Sequence, residues 1–250
     1  MATFDLNSST IPTVGLLDYS ILNADLDRIK FNSKCLINTI NQYSYVIAER
    51  DAEFKEALTG SDVLLPDGVG IVAAVKMLKG ENLKKIAGAD LHQHLLERLN
   101  KEGGRCFYLG SKPSTLDAIR KRLSVEYPNI KVGVYSPPYK ARFDVEENTR
   151  MIDAVNAFGP DVLFVGMTAP KQEKWSYLHK DELKAKIICP IGAVFDFYAG
   201  TIKRPSKFWI RLGLEWFIRL IKEPKRMAKR YLFYGPVFIW ELVRIKLGYQ

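Results

Sequence analysis

Asp62-Val-Leu-Leu-Pro-Asp-Gly-Val-Gly70 is the stretch on which the fold turns. Val63, Leu64 and Leu65 form a short apolar run suited to a buried strand, and Pro66 is expected to end its ladder because proline has no N–H. Gly70 opens a second apolar segment, 71–78, of helical length. Strand, Gly-containing turn and helix together make one unit of a parallel α/β sheet. In such sheets ligands bind outside the carboxyl ends of the strands, and Asp67 stands at such an end. A carboxylate there can act as a general base toward a substrate hydroxyl. It can equally cap the following helix, a common use of Asp. Both readings stand on this stretch alone.

The same unit repeats outward. Upstream, Cys35-Leu-Ile-Asn-Thr-Ile-Asn41 reads as a strand ending in polar residues, with Thr39 and Asn41 on one face by period two. Helices are expected over 44–50 and 51–58, the second capped by Asp51. Nearer the start, 14–21 reads as one strand, and Asn23 as the cap of a short helix to Lys30. Downstream, an amphipathic helix through Leu99 leads to strand 105–109 and a helix from about Pro113 through Leu123. Strand 131–135, helix 145–158, strand 161–166, helix 171–179 and strand 187–189 complete the body. The alternation predicts an α/β fold, a Rossmann-like doubly wound, mostly parallel sheet. Gly68, Gly110, Gly166 and Gly192 fall just after strands, where backbone must approach a ligand closely. Neither a GxxxxGK[ST] loop nor a GxGxxG fingerprint is present, so a P-loop ATPase is excluded by default and a dehydrogenase is unsupported.

A chain of 250 residues, 47% hydrophobic, can bury a substantial core. Cys35, Cys106 and Cys189 lie in or beside apolar runs without any CxxC pairing, as expected of reduced thiols in a cytoplasmic protein. The N-terminus lacks the basic-then-apolar pattern of a signal peptide, and no apolar run is long enough to span a bilayer. The charge is unevenly placed. After Gly200 there are 12 basic and 3 acidic residues, which accounts for the whole net charge of +9. A boundary is therefore expected there, with a catalytic body over 1–200 and a basic, aromatic helical appendage over 201–250.

In that appendage Phe208, Trp209, Leu212, Trp216, Ile218, Leu220 and Ile221 mix with Arg211, Arg219 and Lys222 at helix-compatible spacing. Pro224 breaks the segment; Lys225, Arg226, Lys229 and Arg230 follow, and a third apolar piece covers 236–247. Basic amphipathic helices with Trp and Phe lie in the interface of anionic membranes. Such a stripe can also pack on the core, or bind RNA, although no flat aromatic platform motif is present.

Asp25-Leu-Asp27 matches a metal-holding DxD, but it opens a helical stretch where acidic residues are expected for dipole reasons. His92 and His94, two apart, face different sides of a helix, which argues against a metal site. In Asp161-Val-Leu-Phe-Val-Gly-Met-Thr-Ala-Pro-Lys-Gln-Glu-Lys-Trp175, Pro170 fits the first position of a helix. Lys171, Gln172 and Glu173 then stand at a helix N-terminus, which attracts anions. Gln172 offers a donor and an acceptor suited to a sugar. Surface capping is the competing reading of these residues.

Several motifs together resemble the WecG/TagA/CpsF glycosyltransferases, glycosyltransferase family 26. They are Asn38-Thr-Ile-Asn41, Leu65-Pro-Asp-Gly68, Ile86-Ala-Gly-Ala-Asp-Leu91, Gly110-Ser-Lys-Pro113, Ala169-Pro-Lys-Gln-Glu173, Phe195-Asp196, Ala199-Gly200, Lys203-Arg-Pro205 and Glu215-Trp216…Arg219…Glu223-Pro224. The likeness covers nearly the whole chain. It implies inverting transfer of a sugar, N-acetylmannosamine or a related hexose or uronic acid, from a UDP-sugar donor. The acceptor implied is an undecaprenyl-diphosphate-linked GlcNAc, in cell-surface polysaccharide or teichoic-acid synthesis. Asp67 matches the family's general base, and Thr39, Asn41 and Gln172 match pocket residues. Lys85 stands where Arg is usual, keeping the cation but losing the bidentate fork. Arg219, Arg226 and Lys229 match tail positions that close over the diphosphate. Thr168 and Ala193 depart from the Gly often found there, which leaves the donor sugar open.

No cofactor and no metal are expected, and no nucleic acid; homo-oligomerisation is left open. The expected placement is cytoplasmic, on the inner face of the cell membrane and held to its anionic surface by the tail. The rival from another class is a non-catalytic nucleotide-binding module tethered by its tail to membrane or RNA.

Overall fold

A computed structural model describes residues 4–5, 11–30, 33–202, 206, 208–209 and 214–248, without the side chains of residues 4, 5, 215, 219 and 226. In chain order it runs β1 (Phe4–Asp5), β2 (Thr13–Leu16), β3 (Tyr19–Leu22), β4 (Ile29–Lys30), β5 (Cys35–Ile40), α1 (Gln42–Ala48) and α2 (Ala52–Thr59). Then come β6 (Val63–Pro66), α3 (Val69–Lys79), α4 (Gly88–Glu102), β7 (Arg105–Gly110), α5 (Pro113–Glu126), β8 (Lys131–Tyr135) and α6 (Val145–Phe158). β9 (Val162–Gly166), α7 (Lys171–Leu178), β10 (Ile187–Pro190) and α8 (Ala193–Ala199) close the body. The C-terminal segment is helical over Glu215–Lys222, Pro224–Ala228 and Tyr234–Lys246, with a π-helical turn at Lys229–Phe233.

β5 to β10 form one six-stranded sheet in the order β6-β5-β10-β9-β7-β8, with every pairing parallel. Both faces are covered, and side-chain alternation explains how. On one face Cys35, Ile37, Cys106, Tyr108, Val162, Phe164, Ile187 and Cys189 pack with residues of α4, α5 and α8. Their neighbours Leu36, Phe107, Leu109, Leu163, Val165 and Ile188 point the other way, toward α6 and Trp175 of α7. A slip of one residue in any strand would exchange the two sets, so the register is strongly specified. The doubly wound sheet expected from the alternation is present, with all three cysteines buried and free on one face. A third apolar cluster joins the β2–β3 hairpin, α1, α2 and α3 to Phe238 and Leu242 of the last helix.

Several local expectations are corrected. The 14–21 segment is an antiparallel hairpin, turning at Leu17 with φ 55. The segment before Lys30 is a short 3-10 turn, Leu26–Arg28, preceded by Asp25 and followed by β4. Pro66 does not end the ladder but pairs with Ile40 as the last residue of β6. β6 is an edge strand, so the missing N–H of Pro66 faces outward, and its carbonyl accepts from the Ile86 N–H at 2.9 Å. The 236–247 piece falls on the helix Tyr234–Lys246, into which the π turn Lys229–Phe233 leads directly. The Lys203–Pro205 motif and residues Arg211 and Leu212 lie outside the described residues.

Candidate active site

Because all six strands run the same way, their carboxyl ends and the N-termini of the following helices open on one side. A cleft of about 980 Å³ lies there, lined from β5, β7, β9, β10 and their loops and from the C-terminal helices. A smaller hollow of about 70 Å³ adjoins it and is lined by Gln42, Gly68, Lys85, Trp216 and Tyr231 among others. Asp67, Asn41, Tyr43 and Arg230 border both. Asp67 is the one carboxylate, among the described residues, common to the two spaces.

Asp67 is half-buried directly after β6, and its backbone N–H donates to the Ile40 carbonyl at 2.8 Å. The N-cap of α3 is Gly68, at φ 113, so Asp67 stands one residue before the cap position. The glycine takes a backbone conformation that L side chains rarely adopt, and this turns the chain sharply enough to leave Asp67 on the cleft wall.

Thr39, half-buried near the end of β5, also lines the cleft. Asn41 lies just beyond the strand as N-cap of α1, where its Oδ1 accepts from the Tyr43 and Ser44 N–H groups at 3.0 Å each. Its acceptor end is used within the fold, so its amide NH₂ is what it can offer a ligand. Lys85 borders only the smaller hollow. Lys229 is exposed and lines the cleft, with its Nζ 6.0 Å from the Tyr234 ring centre. The side chains of Arg219 and Arg226 lie outside the description.

Gln172 and Glu173 are buried, which overturns the surface-capping reading of this turn. Pro170 is the N-cap of α7 and not its first residue. Gln172 Oε1 accepts from the Met167 N–H at 3.2 Å, and its Nε2 donates to Glu173 Oε1 at 2.9 Å. A Cβ on Gly192 would fall 2.4 Å from Gln172 Oε1, so the amide is wedged between the β9–α7 and β10–α8 loops. Thr168, in the first of these loops, sits at φ 74, a genuine outlier for a β-branched residue.

The cleft carries positive potential from two sources. The helix starts at α5 and α7 have no side-chain cap, so their N-terminal dipole ends face it directly. Lys112, Lys171, Lys229 and Arg230 also line it, against the carboxylates Asp67, Glu173 and Asp196. Lys171 donates to the Lys140 carbonyl at 2.6 Å and lies 4.3 Å from the Phe143 ring centre, so it ties down the β8–α6 loop. Burial lowers its pKa from the ordinary lysine value. Such a pocket suits an anionic ligand with a polar head.

Two residues of weight were not singled out by sequence reasoning. Arg230 stacks its guanidinium 4.2 Å from the Tyr43 ring centre and borders both spaces. Nothing in a run of tail cations distinguishes it. The π turn adds about one residue, which rotates the helix face by roughly 100° from regular spacing. Glu173 is the other. Its place beside an apolar Trp175 was visible, but its burial depends on the loops above it.

The carboxylates of the DxD are engaged elsewhere, Asp25 with Lys84 and Asp27 with His94 Nδ1 at 3.2 Å. His92 is buried with its Nε2 2.7 Å from the Tyr108 hydroxyl, and desolvation lowers its pKa to about 3. Among the described residues no three His, Cys, Asp or Glu side chains gather as a metal site.

A family model described as glycosyl transferase, WecG/TagA/CpsF family, matches residues 14–250. The chain is 33% identical over 194 residues to an N-acetylglucosaminyldiphosphoundecaprenol N-acetyl-beta-D-mannosaminyltransferase of Bacillus subtilis strain 168, covering 78% of this chain and 74% of the relative. A protein of the same description from Bacillus spizizenii strain W23 is 29% identical over 198 residues, covering 79% and 75%.

Proposed function

This chain belongs to the WecG/TagA/CpsF family of glycosyl transferases, and from that premise we propose its reaction. It moves N-acetylmannosamine, or a related hexose or uronic acid, from a UDP-sugar to a GlcNAc-type sugar on undecaprenyl diphosphate. The polymer served is a cell-surface polysaccharide or teichoic acid. The two relatives' names supply the acceptor class and the mannosamine. The observation that carries the reading is the position of Asp67 between the large cleft and the smaller hollow. A donor held in the cleft and an acceptor entering by the hollow would meet at that carboxylate.

Inverting transfer needs a base for the acceptor hydroxyl and positive charge for the departing diphosphate. Asp67 takes the proton. The start of α5, with Lys112 and Arg230, supplies the charge, and Lys85 faces the acceptor side. Arg219 and Arg226 are assigned to the same diphosphate by family resemblance, and Lys229 by resemblance and by its place on the cleft. No step calls for a metal, since cations of the chain do what a divalent ion would do.

The enzyme works at the cytoplasmic leaflet as a peripheral protein. Among the described residues no helix is long and apolar enough to cross a membrane. The C-terminal helices instead expose Phe217, Ile221, Leu232, Phe233, Ile239 and Trp240 beside many cations. That pairing suits the surface that carries the lipid acceptor. The body over 1–200 carries the base and most of the cleft, while the appendage over 201–250 serves both tasks, adding Lys229 and Arg230 to the cleft and supplying the membrane-facing surface.

The test is release of UDP from a panel of UDP-sugars by purified full-length chain, with a short-chain prenyl-diphosphate-GlcNAc acceptor, before and after exhaustive chelation. Turnover with one donor is expected, unchanged by EDTA. UDP binding without turnover on any donor would favour the non-catalytic module, and activity restored by Mn²⁺ or Mg²⁺ would refute the metal-free mechanism.

A further inference from the structure

Tyr43, in the first turn of α1, borders both the cleft and the adjoining hollow, in company with Asn41, Asp67 and Arg230. The proposed reaction makes no use of it. Its backbone N–H donates to Asn41 Oδ1 at 3.0 Å, which ties it to the capping box at the end of β5. The Arg230 guanidinium carbon lies over its ring, 4.2 Å from the centre. The ring meets Tyr234 nearly edge-on, with centres 5.2 Å apart and planes at 78°. Tyr234 lies in turn beside Lys229, whose Nζ is 6.0 Å from its ring centre. Two aromatic rings thus stand against the two cations that the π turn brings to the cleft.

Packing of the C-terminal segment on the body is carried by another residue. Tyr45 is buried, with ring centres 5.3 Å from Phe238 and 5.8 Å from Tyr19. Tyr43 is only half-buried and stays at the mouth of the cleft. A guanidinium is weakly hydrated and stacks on an aromatic face while its in-plane N–H groups remain able to donate. Arg230 can therefore be held by Tyr43 and still present a fork of donors to a diphosphate.

We infer that Tyr43 is a positioning residue for the transfer reaction, its ring seating the Arg230 guanidinium at the junction of cleft and hollow. The body supplies the seat and the C-terminal segment supplies the cation. The charge around the departing diphosphate is therefore complete only when that segment is docked. This rests on the proposed use of the cleft for a UDP-sugar.

The experiment compares full-length wild type, Tyr43→Phe, Tyr43→Leu, Arg230→Ala and the Tyr43→Leu, Arg230→Ala double variant, by turnover and by UDP affinity in calorimetry. Leucine keeps an apolar side chain without a π face, so Tyr43→Leu should lower kcat and UDP affinity by about tenfold each. Tyr43→Phe, which keeps the ring, should restore both. With Arg230 already replaced by Ala, Tyr43→Leu should cost nothing further. An equal loss with and without Arg230 would show that Tyr43 acts by packing alone and would overturn the inference. The seat itself is read by NMR from the Arg230 Nε–H signal, assigned by its loss in Arg230→Ala. Removal of the ring current in Tyr43→Leu should move that signal, and an unmoved signal overturns the seat. A wild type that binds UDP but turns over no donor counts against the proposed reaction, and the affinity comparison then decides the role of Tyr43. A wild type that neither turns over a donor nor binds UDP overturns both.

Discussion

Replacing Glu173 by Gln should stabilise the protein in alkaline solution relative to acid, because burial makes ionisation costly. In the folded chain the carboxyl titrates at about 7 instead of 4.5. Between those values the folded state holds a proton that the unfolded state has released, so stability falls as pH rises through the window. The cost is absent below about pH 4.5 and complete above about pH 7. A shift of this size corresponds to about 3 kcal/mol, most of which accrues between pH 5 and pH 8. Glu173 is 5% exposed, so solvent screening removes little of this.

Glutamine keeps the shape and the acceptor for Gln172 but has no charge to desolvate. Any fixed cost of the substitution, such as imperfect packing of its NH₂ group, is the same at both pH values and cancels. The quantity to measure is therefore the stability difference between variant and wild type, by urea unfolding at pH 5 and at pH 8. It should move in favour of the variant by roughly 2–3 kcal/mol, a large fraction of the stability of an ordinary domain. A difference that stays the same at the two pH values would show that Glu173 does not titrate in this range, and the charge argument would fail with it.

Asp67→Asn should lower transfer by about 10²–10⁴ while UDP affinity stays near wild type; turnover close to wild type would remove Asp67 as the base. Thr168→Gly should raise stability by about 1 kcal/mol in urea, since relief of a left-handed β-branched residue outweighs the added freedom of the unfolded chain; a loss of stability would mean that the Thr168 side chain contributes more than its backbone costs. Binding to anionic vesicles should fall as salt rises, each basic residue near the surface contributing about 1 kcal/mol, and Trp240→Ser should lower the salt-resistant remainder; salt-independent binding would overturn the electrostatic reading.

The sheet was readable because its signals are local. Strands such as 131–135 and helices such as 145–158 carry their period and their bounding Gly or Asp in sequence, and they form over those residues. Pro66 misled because its effect depends on which side of the strand has a neighbour, and edge position is a property of the whole sheet. At the site, Thr39, Asn41, Asp67 and Gln172 all reach the cleft wall, since strand ends are easy to locate. What each side chain does there was less legible. Asn41 looked like a ligand contact, yet its oxygen is committed to a capping box with Ser44. For Gln172 surface capping competed with a pocket role, and it is buried at the cleft because the Gly192 loop, which returns from a distant strand, covers it.

The C-terminal segment joins these themes, because its apolar side chains divide between two destinations. Phe238 and Leu242 are buried against α1 and the hairpin cluster, with Phe238 edge-on to Tyr45 at 5.3 Å between ring centres. Ile239, Trp240 and Val243, on the same helix, remain exposed. A helix serving only the core would not gain from exposed Trp and Ile, and one serving only a membrane would not bury Phe and Leu in the body. The buried pair fixes the orientation of the exposed set, and the preceding π turn holds Arg230 against Tyr43 beside Asp67. Contact with a membrane by the exposed face would thus occur at a fixed distance from the proposed base. A lipid-linked diphosphate leaving that membrane would enter by the hollow between Lys85, Trp216 and Arg230. Anchoring and catalysis are then one geometric requirement, and substitutions at Phe238 that loosen the helix should slow transfer on a membrane-borne acceptor more than on a short soluble one.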